Sequence, residues 1–463
     1  MTDIAHNDVT PSRGVLTAVI AIAALGGLLY GYDTGIISSA LLSIGEDFRL
    51  DDFGKELVTS AILVGGIIGA FSSGPLSDRI GRKLTILSVA ALFSVGAIVT
   101  SLVPDTTTMV AARVILGIAV GAITQIMPVY IAELSPARIR GTSVVLFQVM
   151  IAAGQLISYI VGYSIVGHWR VMFFLAIIPG VILFIGMLKM PESPRWLITR
   201  GQCEKALRVL ERIRGSRQIA SEEISKIVQV NHSEEGSWSD LAKPWVRPAL
   251  VAAIGIAILC QLTGINAVIY YAPTILNNAG FTSNASLLAT IGVGVTLTLI
   301  TIIGSWLVDA LGRRRLMVLF IPVSIVALIV LGACFMNGSP TGSMKWVAVA
   351  SMLAYIAFNG GSLSVIIWLI NSEVMPLSIR GKATGLASVS LWIADLVVTL
   401  STLSMISGLG AAVTFWIYAG VSVIAFVFVL VCVPETKGRT LEDIEASLKD
   451  GTFLPYAKKN RHA

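Results

Sequence analysis

The sequence predicts an all-α membrane protein of about twelve transmembrane helices arranged as two related halves. Three observations carry that expectation. Of 463 residues, 55% are hydrophobic and 13% charged, and mean hydropathy is +0.83, far from soluble averages. Apolar runs of about 20 residues, long enough for a helix to cross a core of about 30 Å, occur about twelve times. Three charged motifs also return in the same order. ELSPARIRG (Glu133 to Gly141) is echoed by EVMPLSIRG (Glu373 to Gly381), DRIGRK (Asp78 to Lys83) by DALGRR (Asp309 to Arg314), and PESPR (Pro191 to Arg195) loosely by PETKGR (Pro434 to Arg439). A duplicated helical unit with charged motifs on short loops is how many secondary transporters are built.

The spans fall at roughly 15–40, 57–77, 84–103, 107–133, 143–166 and 170–190, then at 247–276, 285–308, 316–336, 346–372, 382–406 and 411–433. The first run, opening at Val15 and continuing past Tyr30, is too long for a signal-peptide core and is expected to be a retained helix. Arg79, Arg82 and Lys83 follow span two, and Arg138 and Arg140 follow span four; Arg313 to Arg315, Arg380 and Lys382 repeat the arrangement. The opposite loops, such as Glu46 to Asp52 and Asn277 to Asn284, are acidic or nearly uncharged. The positive-inside rule then places the motifs and both termini in the cytoplasm. Topology alone accounts for part of the Arg/Lys pattern, but not for Asp, Glu, Pro and Gly at repeated offsets. The expected units are a first half over 1–190, a linker over 191–246, a second half over 247–433 and a tail over 434–463. In the linker, Leu207, Leu210 and Ile213, then Ile224, Ile227 and Val228, stand at helical spacing, which predicts short amphipathic helices. The tail is expected to be helical around Leu441 to Leu448.

Several classes are excluded by what these residues lack. The four cysteines are scattered without metal or disulfide spacing, and the four histidines lie near termini or in connections. No nucleophile–base pair or cofactor site is readable, so neither an enzyme nor a metal is expected. The net charge of +6 is of the size cytoplasmic loops produce and does not point to nucleic acid. A monomer in a lipid bilayer is expected.

An ionisable residue at membrane depth costs about 2.5–3.5 kcal/mol on insertion scales and is a functional candidate by default. Asp33 lies about 18 residues, or about 27 Å, along a helix entering from inside; Arg113 lies about 6 residues, or about 9 Å, along one entering from outside. Both therefore sit in the outer half, and spans one and four can pair them. Arg keeps its proton in a protein whereas Asp can exchange one. Beside Arg113 the carboxylate is favoured; with Arg113 withdrawn, desolvation favours the neutral acid. That is a proton site whose affinity follows conformation. A static ion pair is the alternative. Asp395, near the middle of span eleven, has no obvious partner and reads equally as a second proton site or a hydrogen-bonded cavity residue. Gln148 and Gln155 are seven apart on one face of span five, and Gln261 and Asn266 occupy span seven. Their amides suit a hydroxyl-covered substrate, and Trp368 and Trp392 offer flat apolar faces for a sugar ring. Singly, each reads as packing; together they point to a central polar cavity. Gly65/Gly69 and Gly117/Gly121 read as close helix packing.

GYDTGIISSAL (Gly31 to Leu41), GPLSDRIGRK, PVYIAELSPARIRG, PESPRWL, QLTGINAVIYYAP (Gln261 to Pro273) and PETKGR together resemble the sugar porter family of the major facilitator superfamily over nearly the whole chain. The family includes bacterial proton-linked symporters for xylose, arabinose, galactose and glucose, and animal facilitative glucose carriers. The resemblance implies the major facilitator fold, with twelve helices in two six-helix bundles, alternating access, and a monosaccharide site between the bundles in a bacterial-type plasma membrane. It also implies sugar ligands at Gln148, Gln155, Gln261, Asn266, Trp368 and Trp392, and a tyrosine pair at an outer gate, Tyr270 and Tyr271. Asp33 stands where proton-linked members carry Asp and uniporters Asn, with Arg113 as its partner. Asp78, Arg82, Glu133, Arg140, Glu192 and Arg195, with Asp309, Arg313, Glu373 and Arg380, resemble the charged network that latches the outward-open state.

The chain departs from the family pattern in its second half. Cys260 replaces a Gln, Leu297 a polar residue, Ser364-Val365 a Gly-Pro, Leu391 an amide, and Asp395 falls where Asn is common. The expected function is proton-coupled monosaccharide symport. A facilitative uniporter and a non-transporting sugar sensor are the alternatives, the first disfavoured by Asp33 and the second by a tail of about thirty residues.

Overall fold

The computed structural model describes residues 13–136, 139–231, 237–376, 379–439 and 441–455. The first half comprises α1 (Arg13–Asp47), α2 (Asp52–Ile80), α3 (Arg82–Leu102), α4 (Thr106–Leu134), α5 (Arg140–Ser164) and a sixth span made of α6 (Trp169–Leu175) and α7 (Ile177–Lys189). The linker forms α8 (Pro194–Thr199), α9 (Cys203–Arg214), α10 (Arg217–Asn231) and a 3₁₀ turn, Trp238–Ala242. The second half comprises α11 (Arg247–Leu262) and α12 (Ile265–Asn278), which share span seven, then α13 (Ser283–Leu311) and α14 (Arg313–Cys334). Span ten divides into α15 (Met344–Gly360) and α16 (Leu363–Glu373); α17 (Arg380–Leu409), α18 (Ala411–Cys432) and the tail helix α19 (Leu441–Lys449) complete the chain. Twelve helical segments among the described residues are long and apolar enough to span a membrane. Each expected span is present, and several run a turn or more beyond the apolar stretch because charged residues such as Asp78 and Asp309 continue the helix out of the hydrocarbon.

Both halves pack through small residues. A Cβ on Gly65 would run into the Val114 carbonyl and one on Gly117 into the Ile62 carbonyl, so α2 and α4 touch backbone to backbone. The linker docks on the first half. Leu210 and Ile213 of α9 are buried, and Arg214 forks onto Glu223 (2.8 and 2.9 Å) while donating to the Leu134 carbonyl at the end of α4 (2.9 Å). In the tail, Ile444, Leu448 and Phe453 join the main hydrophobic core.

The charged motifs repeat as structure. Gly81 and Gly312 precede α3 and α14 with nearly identical torsions, φ 97° ψ 159° and φ 95° ψ 161°, in the region that favours glycine. A Cβ at either would strike a carboxylate, Glu192 or Glu435. These acids accept the orphan N–H groups of the next helix: Glu192 those of Arg82 (2.9 Å) and Lys83 (3.1 Å), Glu435 those of Arg313 (2.9 Å) and Arg314 (3.1 Å). Burial pushes the Glu192 carboxyl up, and its backbone donors oppose that shift.

Candidate functional site

Span seven breaks between Gln261 and Asn266. Thr263 ends α11, and Gly264, at φ 88°, starts α12 with the Tyr418 ring against its Cα. The break frees carbonyls that hydrocarbon cannot satisfy. Span ten supplies partners: Tyr355 donates to the Thr263 carbonyl (2.7 Å) and Asn359 to the Thr263 hydroxyl (3.0 Å). Gln261 and Asn266, on opposite sides of the break, are thereby brought together, and the Asn266 amide donates to Gln261 Oε1 at 2.9 Å. A second break, at Gly361 and Ser362, precedes Trp368 on span ten. Glycine and serine make it without the family's proline.

Gln148, Asn266 and Trp368 are half-buried, whereas Gln261 and Trp392 are buried. The Trp392 ring packs on Gly66 of α2 and lies 5.9 Å from that of Tyr30, so span eleven meets the first half here. Its indole Nε1 is buried without a hydrogen-bond acceptor. Gln155 is bound more firmly than Gln148: its amide donates to Thr34 on α1 at 3.3 Å.

Asp33 and Arg113 do meet. Both are 0% exposed, with Arg113 Nη1 3.5 Å from Asp33 Oδ1. Neither makes a hydrogen bond through its side chain, and the guanidinium lies 5.5 Å over the Phe173 ring. A pair this deeply buried, close yet not hydrogen-bonded, is weakly secured.

Asp395, which the sequence left without an obvious partner and open between a proton site and a hydrogen-bonded cavity residue, is hydrogen-bonded in the structure. Tyr270 Oη donates to Oδ2 at 3.2 Å and Thr399 Oγ1 to Oδ1 at 3.3 Å, with the Asn266 amide alongside. Tyr271 donates to the Thr399 carbonyl at 2.9 Å, so both tyrosines tie α12 to α17. Two of the departures from the family pattern also meet, the Cys260 thiol standing beside the Ser364 hydroxyl.

At the motif end the two halves are alike. Arg82 reaches Asp78 (2.9 Å) and Glu133 (3.2 Å); Arg313 reaches Asp309 (3.3 Å) and Glu373 (2.7 Å). These pairs clamp spans within each half. Arg380 donates to the Met375 carbonyl (3.1 Å), while Arg138 and the side chain of Arg140 lie outside the described residues. Arg195, grouped with this network from its motif, is exposed instead; Trp196 and Arg200 reach the Asp78 carbonyl, each at 2.9 Å. Helix α8 turns Arg195 outward and the next residue inward.

Sequence reasoning passed over three residues. Glu435 was legible, since PETKGR aligns with PESPR. Tyr30 had no signal apart from its span. Glu56, 0% exposed near the start of α2, accepts from the Ser404 N–H (2.8 Å) and hydroxyl (2.5 Å) on α17, and Asp52 accepts from Ser407 close by. These bonds join the halves at the end opposite the motifs, as does Tyr159 donating to the Ile269 carbonyl (3.1 Å).

The fold and the buried polar centre define a multi-pass membrane transporter rather than an enzyme. The model of the sugar (and other) transporter family matches residues 19–448, and the chain belongs to that family. It is 40% identical over 440 residues to a D-xylose transporter of Levilactobacillus brevis, covering 94% of this chain and 96% of the relative. It is 36% identical over 449 residues to the major myo-inositol transporter IolT of Bacillus subtilis (strain 168), covering 94% of each. The major facilitator proton:xylose symporter XylE of E. coli, solved with 6-bromo-6-deoxy-D-glucose, superposes with a TM-score of 0.80 at 31% identity, covering 94% of this chain and 99% of that one. With its twelve apolar helices, the chain is an inner-membrane protein of bacterial type.

Proposed function

We propose that the chain is a proton-coupled monosaccharide symporter that works as a monomer by alternating access, its two halves (1–190 and 247–433) rocking about a central sugar site. The observation that carries this reading is the Asp33–Arg113 pair: fully buried, 3.5 Å apart and not hydrogen-bonded. A carboxylate held by one cation alone keeps its charge only while that cation stays. Movement of α4 relative to α1 therefore makes Asp33 take up or release a proton, which couples conformation to the proton gradient. The transporters it resembles, a D-xylose transporter and a proton:xylose symporter, support the substrate class.

In this reading the sugar is held by Gln148, Gln155, Gln261 and Asn266 through hydroxyls and by Trp368 and Trp392 through ring faces. The motif end and both termini face the cytoplasm, in keeping with the Arg/Lys asymmetry. The bonds of Glu56 and Tyr159 then seal the outer end of an inward-facing state. Tyr270 and Tyr271 act at the outer gate. The clamps around Arg82 and Arg313, with Glu192 and Arg380, keep each half rigid at the inner end as it rocks.

The test follows external pH around lightly buffered, natively oriented vesicles as D-xylose, D-glucose, L-arabinose and myo-inositol are added in turn. Alkalinisation with one compound supports symport and identifies the substrate. Asp33→Asn is expected to abolish uphill accumulation while retaining equilibrative exchange. Full uphill uptake by that variant would discard Asp33 as the coupling group, and exchange without alkalinisation in the wild type would mean a uniporter.

A further inference from the structure

At the end opposite the motifs the two halves enclose a cavity of about 240 Å³. Glu46 of α1 and Lys55 of α2 line it from the first half, and Thr274, Asn277 and Asn278 of α12 with Ser283 of α13 line it from the second. Apart from two leucines of α1, the side chains around it carry hydroxyls, amides or charge. Glu46 and Asn278 are exposed, so the cavity opens outward. None of these residues belongs to the central polar site.

The cavity is smaller than the roughly 300–1,000 Å³ of sites for drug-sized ligands, so it suits one small molecule. Its charge balances. Glu46 brings one acid and Lys55 one base, whose ammonium also stands 3.6 Å from Asp52. Neither a cation nor an anion is therefore selected, and among the described residues no cluster of metal-ligating side chains is present. Donors and acceptors are mixed instead, and some are unused. The Asn277 side-chain oxygen accepts from Ser286 at 2.6 Å, which leaves its amide hydrogens to offer a ligand. Thr274 is 8% exposed and its hydroxyl is buried without a partner, whereas Thr290, Thr298 and Thr301 return theirs to their own helix. A neutral ligand rich in hydroxyls serves donors and acceptors alike.

The cavity also sits beside the bonds that join the halves. Lys55 pairs with Asp52, Asp52 accepts from Ser407 of α17, and Glu56 makes its two bonds to Ser404 about one turn along each helix. Both halves build its walls, so parting this end dismantles it.

We propose that this cavity is a second, outer site for a neutral polyhydroxy compound, a monosaccharide or cyclic polyol, and that it exists only while this end is shut. This rests on the inward-facing reading above. A ligand that binds only the shut arrangement multiplies the shut-to-open ratio by one plus its concentration over its dissociation constant, about tenfold at ten times that constant. External sugar therefore feeds the central site at low concentration. At high concentration it holds the empty carrier inward-facing and slows its return.

The test measures binding and transport separately. Melting temperature in detergent is followed for the full chain carrying Gln261→Ala and Asn266→Ala, which disable the central site. D-xylose, D-glucose, L-arabinose or myo-inositol is added, with sucrose, too large for the cavity, at matched concentration. At least one of the four is expected to raise the melting temperature beyond sucrose, and Glu46→Ala with Asn278→Ala is expected to abolish the rise. No rise beyond sucrose, or a rise that this pair leaves intact, overturns the proposal and makes the cavity a hydrated cleft. Should the pair prevent folding, Thr274→Val removes only the unpartnered hydroxyl, and an undiminished rise in that variant overturns the proposal instead. In natively oriented vesicles without the central-site changes, initial uptake is expected to peak and then fall about tenfold by ten times the outer dissociation constant. Glu46→Ala with Asn278→Ala should turn that fall into a plateau; a plateau in the wild type, or the same fall in both, overturns the proposal. The fall requires no proton. A wild type that falls without alkalinising the medium removes the symport reading and keeps this one, whereas an alkalinising wild type that plateaus removes only this one.

Discussion

Glu56→Ala tests whether the two halves are held together at the end opposite the motifs by an identifiable bond. Glu56 is a buried carboxylate whose side chain reaches Ser404 of the other half twice, at 2.8 Å to the N–H and 2.5 Å to the hydroxyl. A hydrogen bond to a charged group is worth about 1.5–3 kcal/mol net. Once the ends separate, water takes over as donor, so most of that stabilisation belongs to the closed arrangement alone. Counting one bond's worth as the difference, because Ser404 also recovers water, Glu56→Ala shifts the closed-to-open ratio at this end by about 1.5–3 kcal/mol, roughly 10- to 150-fold. Spin labels at Phe53 and Leu409, both exposed and on opposite halves, report that end as a distance distribution in a chain whose native cysteines are replaced. The variant is expected to gain a longer-distance population. A distribution identical to that of the parent would refute the argument, because it would mean the two bonds do not discriminate between the states.

Three further outcomes follow from the geometry. Gly264→Ala places a side chain at φ 88° and sets its Cβ 2.7 Å from the Tyr418 ring, so about 1–3 kcal/mol of strain is expected. It should read as a lower melting temperature in detergent with a raised sugar KM; an unchanged KM would separate the break from the site. Glu435→Ala and Glu192→Ala each remove the acceptor for first-turn N–H groups of the next helix, a loss of about 1–2 kcal/mol. The two should destabilise alike, and a large inequality would count against equivalent roles. Arg195→Ala is expected to stay within about 0.5 kcal/mol of wild type in thermal stability. Arg200→Ala should be the more damaging of the two, because Arg200 holds the Asp78 and Arg79 carbonyls at 2.9 and 2.7 Å.

The sequence by itself determined what depends on local composition and on repetition. Apolar length located all twelve spans, because a helix must be apolar for the full thickness it crosses. The repeated motifs announced two like halves, and the matching torsions at Gly81 and Gly312 are that repeat in three dimensions. Rise per residue placed Asp33 and Arg113 at one depth, which sufficed to pair them since their helices belong to one half. Contacts between distant helices depended on rotation about each helix axis, which hydropathy does not encode in a chain that is apolar on nearly every face. Tertiary structure alone therefore decided that Gln155 turns toward Thr34 while Gln148 stays open, and that Arg200 rather than Arg195 reaches the Asp78 and Arg79 carbonyls. It alone brought Asp395, which had looked partnerless on its own helix, against Tyr270 of another. The tie from Glu56 to Ser404, across 348 residues, belongs to the same class. It forms only where α2 meets α17, and nothing local to either residue specifies the other.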